Sequence, residues 1–327
     1  MTGLNDLPHH HRLPTALFSA LQTIGQPAGA RLYLVGGAVR DCLAHKSPVL
    51  DWDFAVTDVP AAQIARQVAT TLKGRLVSLD PENGIHRVVL HDAAPWGGAK
   101  NQPWSLDFAD ALHNNIDADL ARRDLTINAM AIDLENGTLL DPTGGQSDLT
   151  HRTIRMVAEK NLIADPLRIL RVFRFAAAVN TTTHPVTIDP ATLQATQTHG
   201  QLLTQPAAER LQVEWFKLLS ADHCAPVLHK MSETGVLETL FPELTPMRQI
   251  PANGPHHLGL FDHTLELITQ AERLFPTLPT VAQAVLKEAL IPGLTRFGMV
   301  KFGCLLHDVG KPETMAIKDD GRFTFYG

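Results

Sequence analysis

The chain has 327 residues, of which 44% are hydrophobic and 19% charged, and its formal net charge is −6. This is the composition of an ordinary globular protein of about one to three domains. No apolar run approaches the roughly 20 residues of a membrane span, and the N-terminus lacks the apolar stretch of a signal peptide. The three cysteines lie far apart, which favours a reducing cytoplasm and argues against a disulfide framework.

In chain order, residues 1–12 are predicted to be a flexible tail containing three consecutive histidines, His9 to His11. Residues 31–140 then mix short strands and helices, as apolar alternation and helical spacing indicate. Five strands are predicted: RLYLV (31–35), LDWDFAV (50–56), RLVSL (75–79), IHRVVLH (85–91) and WSLDFA (104–109). Two helices are predicted, at 38–45 and, after Pro60, at 60–72. The segment 91–104 is predicted to be a Gly/Pro/Trp loop that connects a hairpin.

Beyond residue 160 the pattern becomes helical. Segments 165–179, 206–220, 224–235 and 262–275 carry helical periodicity and are separated by Pro- and Gly-containing breaks. The fold class is therefore predicted to be α+β, a mixed-sheet head followed by an all-helical remainder. The predicted domains are a head at 1–150, a helical neck and body at 151–250, and a last helical region at 251–327.

Asp51 and Asp53 lie two residues apart on a predicted strand, so both side chains point to one face of it. Paired carboxylates repel each other and favour a hard cation such as Mg²⁺, which takes oxygen ligands. Two such ions stand about 3.5–4 Å apart in phosphoryl-transfer sites, a span that paired carboxylates can bridge. Asp107, on the strand WSLDFA, is the expected third carboxylate. On its own, this D-x-D pattern fits an ordinary surface strand as well.

Gly36 and Gly37 follow the first predicted strand and precede a helix that begins near Arg40. Glycines in such a turn let backbone N–H groups approach a phosphate, with a helix N-terminus behind them. A plain strand-to-helix turn is the alternative for the two glycines alone. Local basic character is concentrated at 152–174, which fits contact with a nucleic-acid backbone or a solvated helix face.

Four blocks in order resemble the class II tRNA nucleotidyltransferase and bacterial poly(A) polymerase family. They are LVGGAVRDCLAHKSPVLDWDFAV (34–56), ARRDLTINAMA (121–131), DPTGGQSDL (141–149) and ADPLRILRVFRFAA (164–177). The resemblance implies a polymerase-β-like nucleotidyltransferase head with a helical neck and body. It also implies a two-Mg²⁺ enzyme that transfers C or A from CTP or ATP to the tRNA 3′ end without a template.

The resemblance also implies roles for individual residues. Asp51, Asp53 and Asp107 are the expected catalytic carboxylates, with Asp51 and Asp53 holding the metals. The expected nucleotide-binding residues are Gly36, Gly37, Arg40, Arg123, Asp124, Asn128, Asp165, Arg168 and Arg171.

Within that set, Asp165 and Arg168 are expected to read the base. Aspartate accepts a hydrogen bond from an exocyclic amine, which both C and A possess, and arginine donates to ring nitrogens or carbonyls. Arg168, Arg171 and Arg174 follow at three-residue steps as a basic stripe. The glutamate that usually precedes the aspartate in this family is Ala164 here.

The segment 111–121 is shorter than the flexible loop that CCA-adding members of the family have at this place. A short loop is characteristic of members that add C-C only, so the sequence favours CC addition, with full CCA addition as the alternative.

FDHTLELI (261–268) and LLHDVGKP (305–312) resemble the HD domain of metal-dependent phosphohydrolases. The resemblance implies His263, His307 and Asp308 as ligands of a possible transition-metal site. That site is predicted to be incomplete and to give no robust phosphatase activity. A helix-end polar pair is the alternative for the His-Asp doublet.

Two other functions fit parts of the chain. One is a poly(A) polymerase, which performs the same reaction on another RNA end. The other is an HD-type phosphohydrolase or signalling protein whose head only binds nucleotide. The expected partners are the tRNA 3′ end and nucleoside triphosphates, with no membrane association.

Overall fold

The computed structural model describes residues 14–44, 50–82, 84–181, 183–252, 257–317 and 323–325. The predicted tail with His9 to His11 lies outside the described residues. The chain divides into two compact units, Met1–Asn161 and Leu162–Gly327. The bounds of the three domains predicted from the sequence stay predictions. In the described part of the chain, no helix is both long and apolar enough to cross a membrane.

The first unit is a mixed sheet with helices. Its helices are α1 Thr15–Ala28, α2 Gly37–Leu43, α3 Ala61–Thr71, α4 Ile116–Ala121, α5 Gly145–Thr150 and α6 Glu159–Ala164, the last of which crosses the boundary between the units. Its strands are β1 Arg31–Val35, β2 Asp51–Thr57, β3 Arg75–Asp80, β4 Ile85–Leu90, β5 Trp104–Asp110, β6 Ala131–Asp133, β7 Leu139–Leu140 and β8 Thr153–Ile154. The predicted strands and helices of this unit are all present.

The sheet has the strand order β3-β4-β5-β2-β1-β6-β7. Only β2 and β5 pair in parallel; every other neighbouring pair in this sheet is antiparallel. The 91–104 segment connects the antiparallel strands β4 and β5, as predicted, and contains a short 3-10 turn. Because β2 is central, both of its edges are hydrogen-bonded and its side chains are held in a fixed register.

The main core lies on one face of this sheet. Phe54 of β2 stacks on Phe108 of β5, with ring centroids 5.1 Å apart, and Trp52 lies 5.5 Å from Trp104. These rings are buried in one cluster with residues of α1 and α3. Since side chains alternate along a strand, burying Trp52 and Phe54 turns the residues between them to the opposite face. The apolar alternation of β2 therefore positions Asp51 and Asp53.

The second unit is helical, with short strands added. Its helices are α7 Leu167–Val179, α8 Pro190–His199, α9 Ala208–Leu219, α10 Ala225–Glu233, α11 Val236–Leu240, α12 Leu260–Leu274, α13 Thr280–Lys287, α14 Arg296–Leu306 and α15 Lys311–Thr314. Its strands are β9 Thr187–Ile188, β10 Ala289–Ile291, β11 Leu294–Thr295, β12 Met315–Ile317 and β13 Phe323–Phe325. The predicted helical remainder is confirmed, but "all-helical" needs a correction. Pro292 and Gly293, the latter at φ +84°, form a tight turn that lets β10 and β11 pair.

Candidate active site

Asp53 stands opposite Val35 at the end of β1, and beside Asp107 on the parallel neighbour β5. Asp51, at the start of β2, is exposed, whereas Asp53 and Asp107 are partly buried. The structure thus places Asp53 and Asp107 abreast on adjacent strands, with Asp51 two residues away on the same face. A cation that bound between the two strands would meet carboxylate oxygens from both.

Asp107 is held by an arginine that the sequence analysis did not single out. Arg87 stands opposite it in the β4–β5 register. Its Nε and Nη2 atoms each donate to a different oxygen of Asp107 at 2.7 Å. This bidentate pair fixes the plane of the carboxylate. In this state Asp107 is oriented by Arg87 as well as by its strand.

Asp53 interacts with two other acidic groups, Asp107 and Asp51. Burial raises the pKa of Asp53 to about 6, and the neighbouring carboxylate of Asp107 adds to the rise, while the cationic Arg123 opposes it. Asp51 pushes the pKa in the same direction as Asp107. A divalent cation bound next to Asp53 would offset this repulsion and stabilise the ionised carboxylate.

Gly36 has a backbone conformation that only glycine adopts readily, with φ 71° and ψ −134°. A Cβ atom there would lie 2.9 Å from Nη1 of Arg123 and 3.5 Å from Oδ2 of Asp53. Gly37 is the first residue of α2, and a Cβ atom on it would lie 3.4 Å from Nη2 of Arg40. The turn therefore brings backbone, a carboxylate and two guanidinium groups together at one end of β1.

Arg40 and Asn128 are joined directly: Nη1 of Arg40 donates to Oδ1 of Asn128 at 2.7 Å. The amide nitrogen of Asn128 donates in turn to Oδ1 of Asp124, at 3.2 Å. Arg40 also makes two bonds to the carboxylate of Asp41. Three residues predicted to bind nucleotide, from two blocks of sequence, thus form one hydrogen-bonded chain.

Arg123 is anchored by Asp119, which the sequence analysis also missed. Asp119 is almost fully buried and accepts hydrogen bonds from both Arg122 and Arg123. Burial by itself would raise the pKa of Asp119, but the charges of Arg123 and Arg122 and their hydrogen bonds outweigh it and hold the pKa below its usual value. Asp119 lies on α4, so the segment after Asp110 holds a short helix capped by Asn115.

The second unit contains the residues predicted to read the base. Both oxygens of Asp165 accept from Nη2 of Arg210 on α9, at 3.2 Å each. Arg168 lies farther away, with its Nε atom 3.8 Å from the Asp165 carboxylate. Arg171 and Arg174 are not a purely solvent-facing stripe, because both pair with the buried Glu214, at 3.4 and 2.8 Å. Arg210 and Glu214 were not predicted from the sequence.

His263, His307 and Asp308 come together as predicted, with one ligand atom of each within 4.8 Å of the others. Within the described ranges, no other three His, Cys, Asp or Glu residues do so. Asp308 also pairs with Lys311, whose Nζ lies 2.7 Å from Oδ2. The ammonium group already gives this carboxylate a positive partner. A metal site with these ligands stays a prediction.

Comparison with known proteins identifies the relationship. Residues 32–155 match the family described as the poly A polymerase head domain, and residues 186–248 match one described as a probable RNA and SrmB-binding site of polymerase A. The chain is 36% identical over 306 residues to an A-adding tRNA nucleotidyltransferase of Deinococcus radiodurans, covering 92% of this chain and 61% of that protein. It is 34% identical over 299 residues to a CC-adding tRNA nucleotidyltransferase of Geobacter sulfurreducens, covering 91% and 64%.

The chain is similar to tRNA nucleotidyltransferases over most of its length, and its residues 32–155 match the poly A polymerase head domain. Among solved structures, the Thermotoga maritima CCA-adding enzyme complexed with tRNA matches with a TM-score of 0.70 and 26% identity over 93% of this chain and 65% of that one. The resemblance drawn from four sequence blocks and the predicted mixed-sheet head with a helical body are thus confirmed. The chain spans about three-fifths of the length of these curated relatives.

The poly A polymerase head domain includes the acids, the glycine turn, Arg87, Asp119 and the Arg40–Asn128 pair. If a metal bound between β2 and β5, its protein donors would be carboxylate oxygens of these acids, which suit a hard divalent ion. The raised pKa of Asp53 fits the same conclusion, because an added positive charge would favour the ionised form of this carboxyl.

Proposed function

We propose that this chain is a metal-dependent nucleotidyltransferase that adds C, A or both to the 3′ end of tRNA without a template. The observation that supports it most is the placement of Asp53 beside Asp107 and next to the Gly36 turn. Carboxylates that need a cation and a turn that can approach a phosphate are the two requirements of nucleotidyl transfer. Both lie within residues 32–155, which match the poly A polymerase head domain.

Asp51 and Asp53 would hold Mg²⁺ ions, with Asp107 as a further carboxylate. When bound, these ions would activate the RNA 3′-hydroxyl and neutralise charge on the triphosphate. The protein's own part is to align the reactants. Arg87 keeps Asp107 in one orientation, and the glycines of the β1–α2 turn leave room for phosphate oxygens to approach the backbone.

The triphosphate would be held by basic groups around that turn. Arg40 and Arg123 offer guanidinium donors, which suit phosphate oxygens. Each is preorganised by a partner: Arg40 by Asn128 and Arg123 by Asp119. Asp124 and Asn128 would contact the sugar. Asp165, Arg168 and Arg171 are proposed to select and hold the base.

Substitution of the acids tests this proposal. We expect Asp53→Asn and Asp51→Asn to abolish incorporation of radiolabelled CMP and AMP into tRNA that lacks its 3′ end. Asp117→Asn, an exposed acid on α4 of the same unit, is the matched control and keeps full activity. Normal incorporation by Asp53→Asn would refute the proposal.

The nucleotide added is a separate question, because the relatives include A-adding, CC-adding and CCA-adding enzymes. The short 111–121 segment favours CC addition, with CCA addition as the alternative. The assay supplies tRNA that lacks its whole CCA end with CTP alone, and tRNA ending in CC with ATP. Efficient addition of the final A would rule out CC-only addition. Long A-tails on unstructured RNA would instead indicate a poly(A) polymerase.

The HD-like region supports a second candidate activity only weakly. His263, His307 and Asp308 are gathered, but Lys311 already occupies one side of Asp308. We therefore propose no robust phosphatase activity. Strong hydrolysis of 2′,3′-cyclic nucleotides by this chain would contradict that. For location, a reducing cytoplasm is proposed, because Cys42, Cys224 and Cys304 are free thiols in the structure.

A further inference from the structure

A group of ion pairs joins helices α7 and α9 of the second unit. Arg210 and Glu214 lie one turn apart on α9, so their side chains share a face. Glu214 is buried and accepts from Nε of Arg174 at 2.8 Å and from Nη1 of Arg171 at 3.4 Å. Because a buried carboxylate is costly without such partners, these bonds fix the rotation of α9 relative to α7.

That fixed helix presents Arg210 to Asp165, which precedes α7. One nitrogen, Nη2 of Arg210, lies 3.2 Å from both carboxylate oxygens of Asp165. A donor shared between the two oxygens restrains rotation of the carboxylate. The Nε atom of Arg168, on α7, lies 3.8 Å from the Asp165 carboxylate, so Arg168 restrains that carboxylate less. The nearest described cation that orients Asp165 therefore comes from α9.

We propose that Arg210 is a positioning residue for base selection, which acts by orienting Asp165. This rests on the proposed function, in which Asp165 accepts a hydrogen bond from the exocyclic amine of C or A. A carboxylate has about four lone-pair directions, so two oxygens that each share Arg210 can still accept an amine. Ala164, which directly precedes Asp165, has no polar side-chain atom with which to supply this orientation.

The selection of C over U depends on that orientation. Cytosine presents an amine where uracil presents a carbonyl oxygen. A well-placed carboxylate accepts from the first and repels the second, whereas a rotating carboxylate does neither efficiently. Losing Arg210 should therefore lower discrimination, and it should lower kcat/KM for CTP more than for UTP.

The test measures kcat/KM for CTP and for UTP with a tRNA that lacks its 3′ end, using the full chain. We expect Arg210→Gln to reduce the CTP-to-UTP ratio about tenfold, the size of one charge-assisted hydrogen bond. Arg210→Lys keeps the charge but not the planar guanidinium. Its CTP-to-UTP ratio should therefore lie between those of the wild-type chain and Arg210→Gln. Arg296→Gln removes a similarly exposed arginine, paired with Glu288 in the same unit, and should leave the ratio unchanged.

A double-mutant comparison separates positioning from a general structural effect. If Arg210 acts through Asp165, adding Arg210→Gln to Asp165→Asn changes the ratio no further. An unchanged ratio in Arg210→Gln, or full additivity with Asp165→Asn, would overturn the proposal. Arg210 is 54% exposed on its side chain, so the variant should fold; if it did not, the Lys variant gives the same comparison. A wild-type chain that incorporates no nucleotide would instead count against the proposed function.

Discussion

The Asp53 carboxylate combines burial with two acidic neighbours. Its pKa is raised from 3.8 to about 6, first by burial and then by Asp107. The folded protein therefore binds a proton in a pH range where the unfolded chain has lost it. Stability should be lost as pH rises between these two values, and the loss is complete above pH 6. The same charge that weakens the fold prepares the site for a cation.

We therefore expect Asp53→Asn to be more stable than the wild-type chain at pH 7.5 without divalent metal, by about 1–3 kcal/mol. The advantage should shrink as pH falls from 6 towards 4, where the wild-type side chain becomes neutral. Urea unfolding at several pH values measures it. Equal stability of Asp53→Asn and the wild-type chain at pH 7.5 would show that the surroundings of Asp53 do not disfavour its ionised form.

Divalent metal should stabilise the wild-type chain but not Asp53→Asn. Mg²⁺ at millimolar concentration should raise the thermal midpoint of the wild-type chain at pH 7.5 but not that of Asp53→Asn, because binding stabilises only the form that has the ligand. Below pH 6 protons compete for Asp53, so the increase should diminish. A midpoint that rises equally in both proteins would place the metal elsewhere.

Asp119 shows the opposite electrostatic situation. It is buried, but Arg122 and Arg123 hold its pKa below 3.8. We expect Asp119→Asn to lower the free energy of unfolding by about 2–4 kcal/mol, since it breaks a buried ion pair, and to raise KM for the nucleotide by releasing Arg123. The stability loss should be constant from pH 5 to 8 and shrink only below pH 4. The exposed Asp117→Asn on the same helix is the control in equilibrium unfolding.

At the scale of elements, the turn between β1 and α2 concentrates the constraints of the site. Gly36 needs a positive φ and leaves no room for a side chain against Arg123. Gly144, at the start of α5, also has a positive φ, of 78°, but a Cβ atom there would meet nothing within 4 Å. A substitution of Gly144 therefore introduces backbone strain alone. A substitution of Gly36 introduces backbone strain and also crowds the site.

We expect Gly36→Ala to lower kcat/KM for nucleotide addition at least tenfold, because the new methyl group displaces the Arg123 guanidinium. Gly144→Ala should cost only about 1 kcal/mol of stability, the usual penalty of a non-glycine residue at positive φ, and keep its activity. Steady-state kinetics with thermal unfolding of both variants distinguishes the two effects. Similar activity in both would mean that the Gly36 turn does not contact the substrate.

At the scale of the whole molecule, the acidic site and the His263 cluster lie in different units. Sites that share no partners are expected to respond independently to substitution. The double variant His263→Ala/His307→Ala should therefore retain nucleotide addition within about twofold of wild type. Metal analysis of this variant and of Asp53→Asn would show which unit holds each ion. Loss of addition in the histidine variant would reveal a coupling that the two compact units do not suggest.

Much of this molecule follows from local sequence. The alternation of Trp52 and Phe54 with Asp51 and Asp53 predicts both the strand and the face on which the acids lie, because side-chain direction along a strand has a period of two. The apolar run of β1 followed by Gly36 and Gly37 predicts the strand end and the turn. Helix α7 follows from its own periodicity. In each case the information lies within one segment.

Which segments meet depends on long-range packing. Arg87 pairs with Asp107 because the register of β4 and β5 places the two residues opposite each other, and that register depends on a strand about 20 residues away in sequence. Arg210 reaches Asp165 through the packing of two helices that lie more than a helix length apart in sequence. Local pattern determined the identity of the acids and the turn; the partners that set their charge and orientation come from long-range packing, which sequence periodicity does not encode.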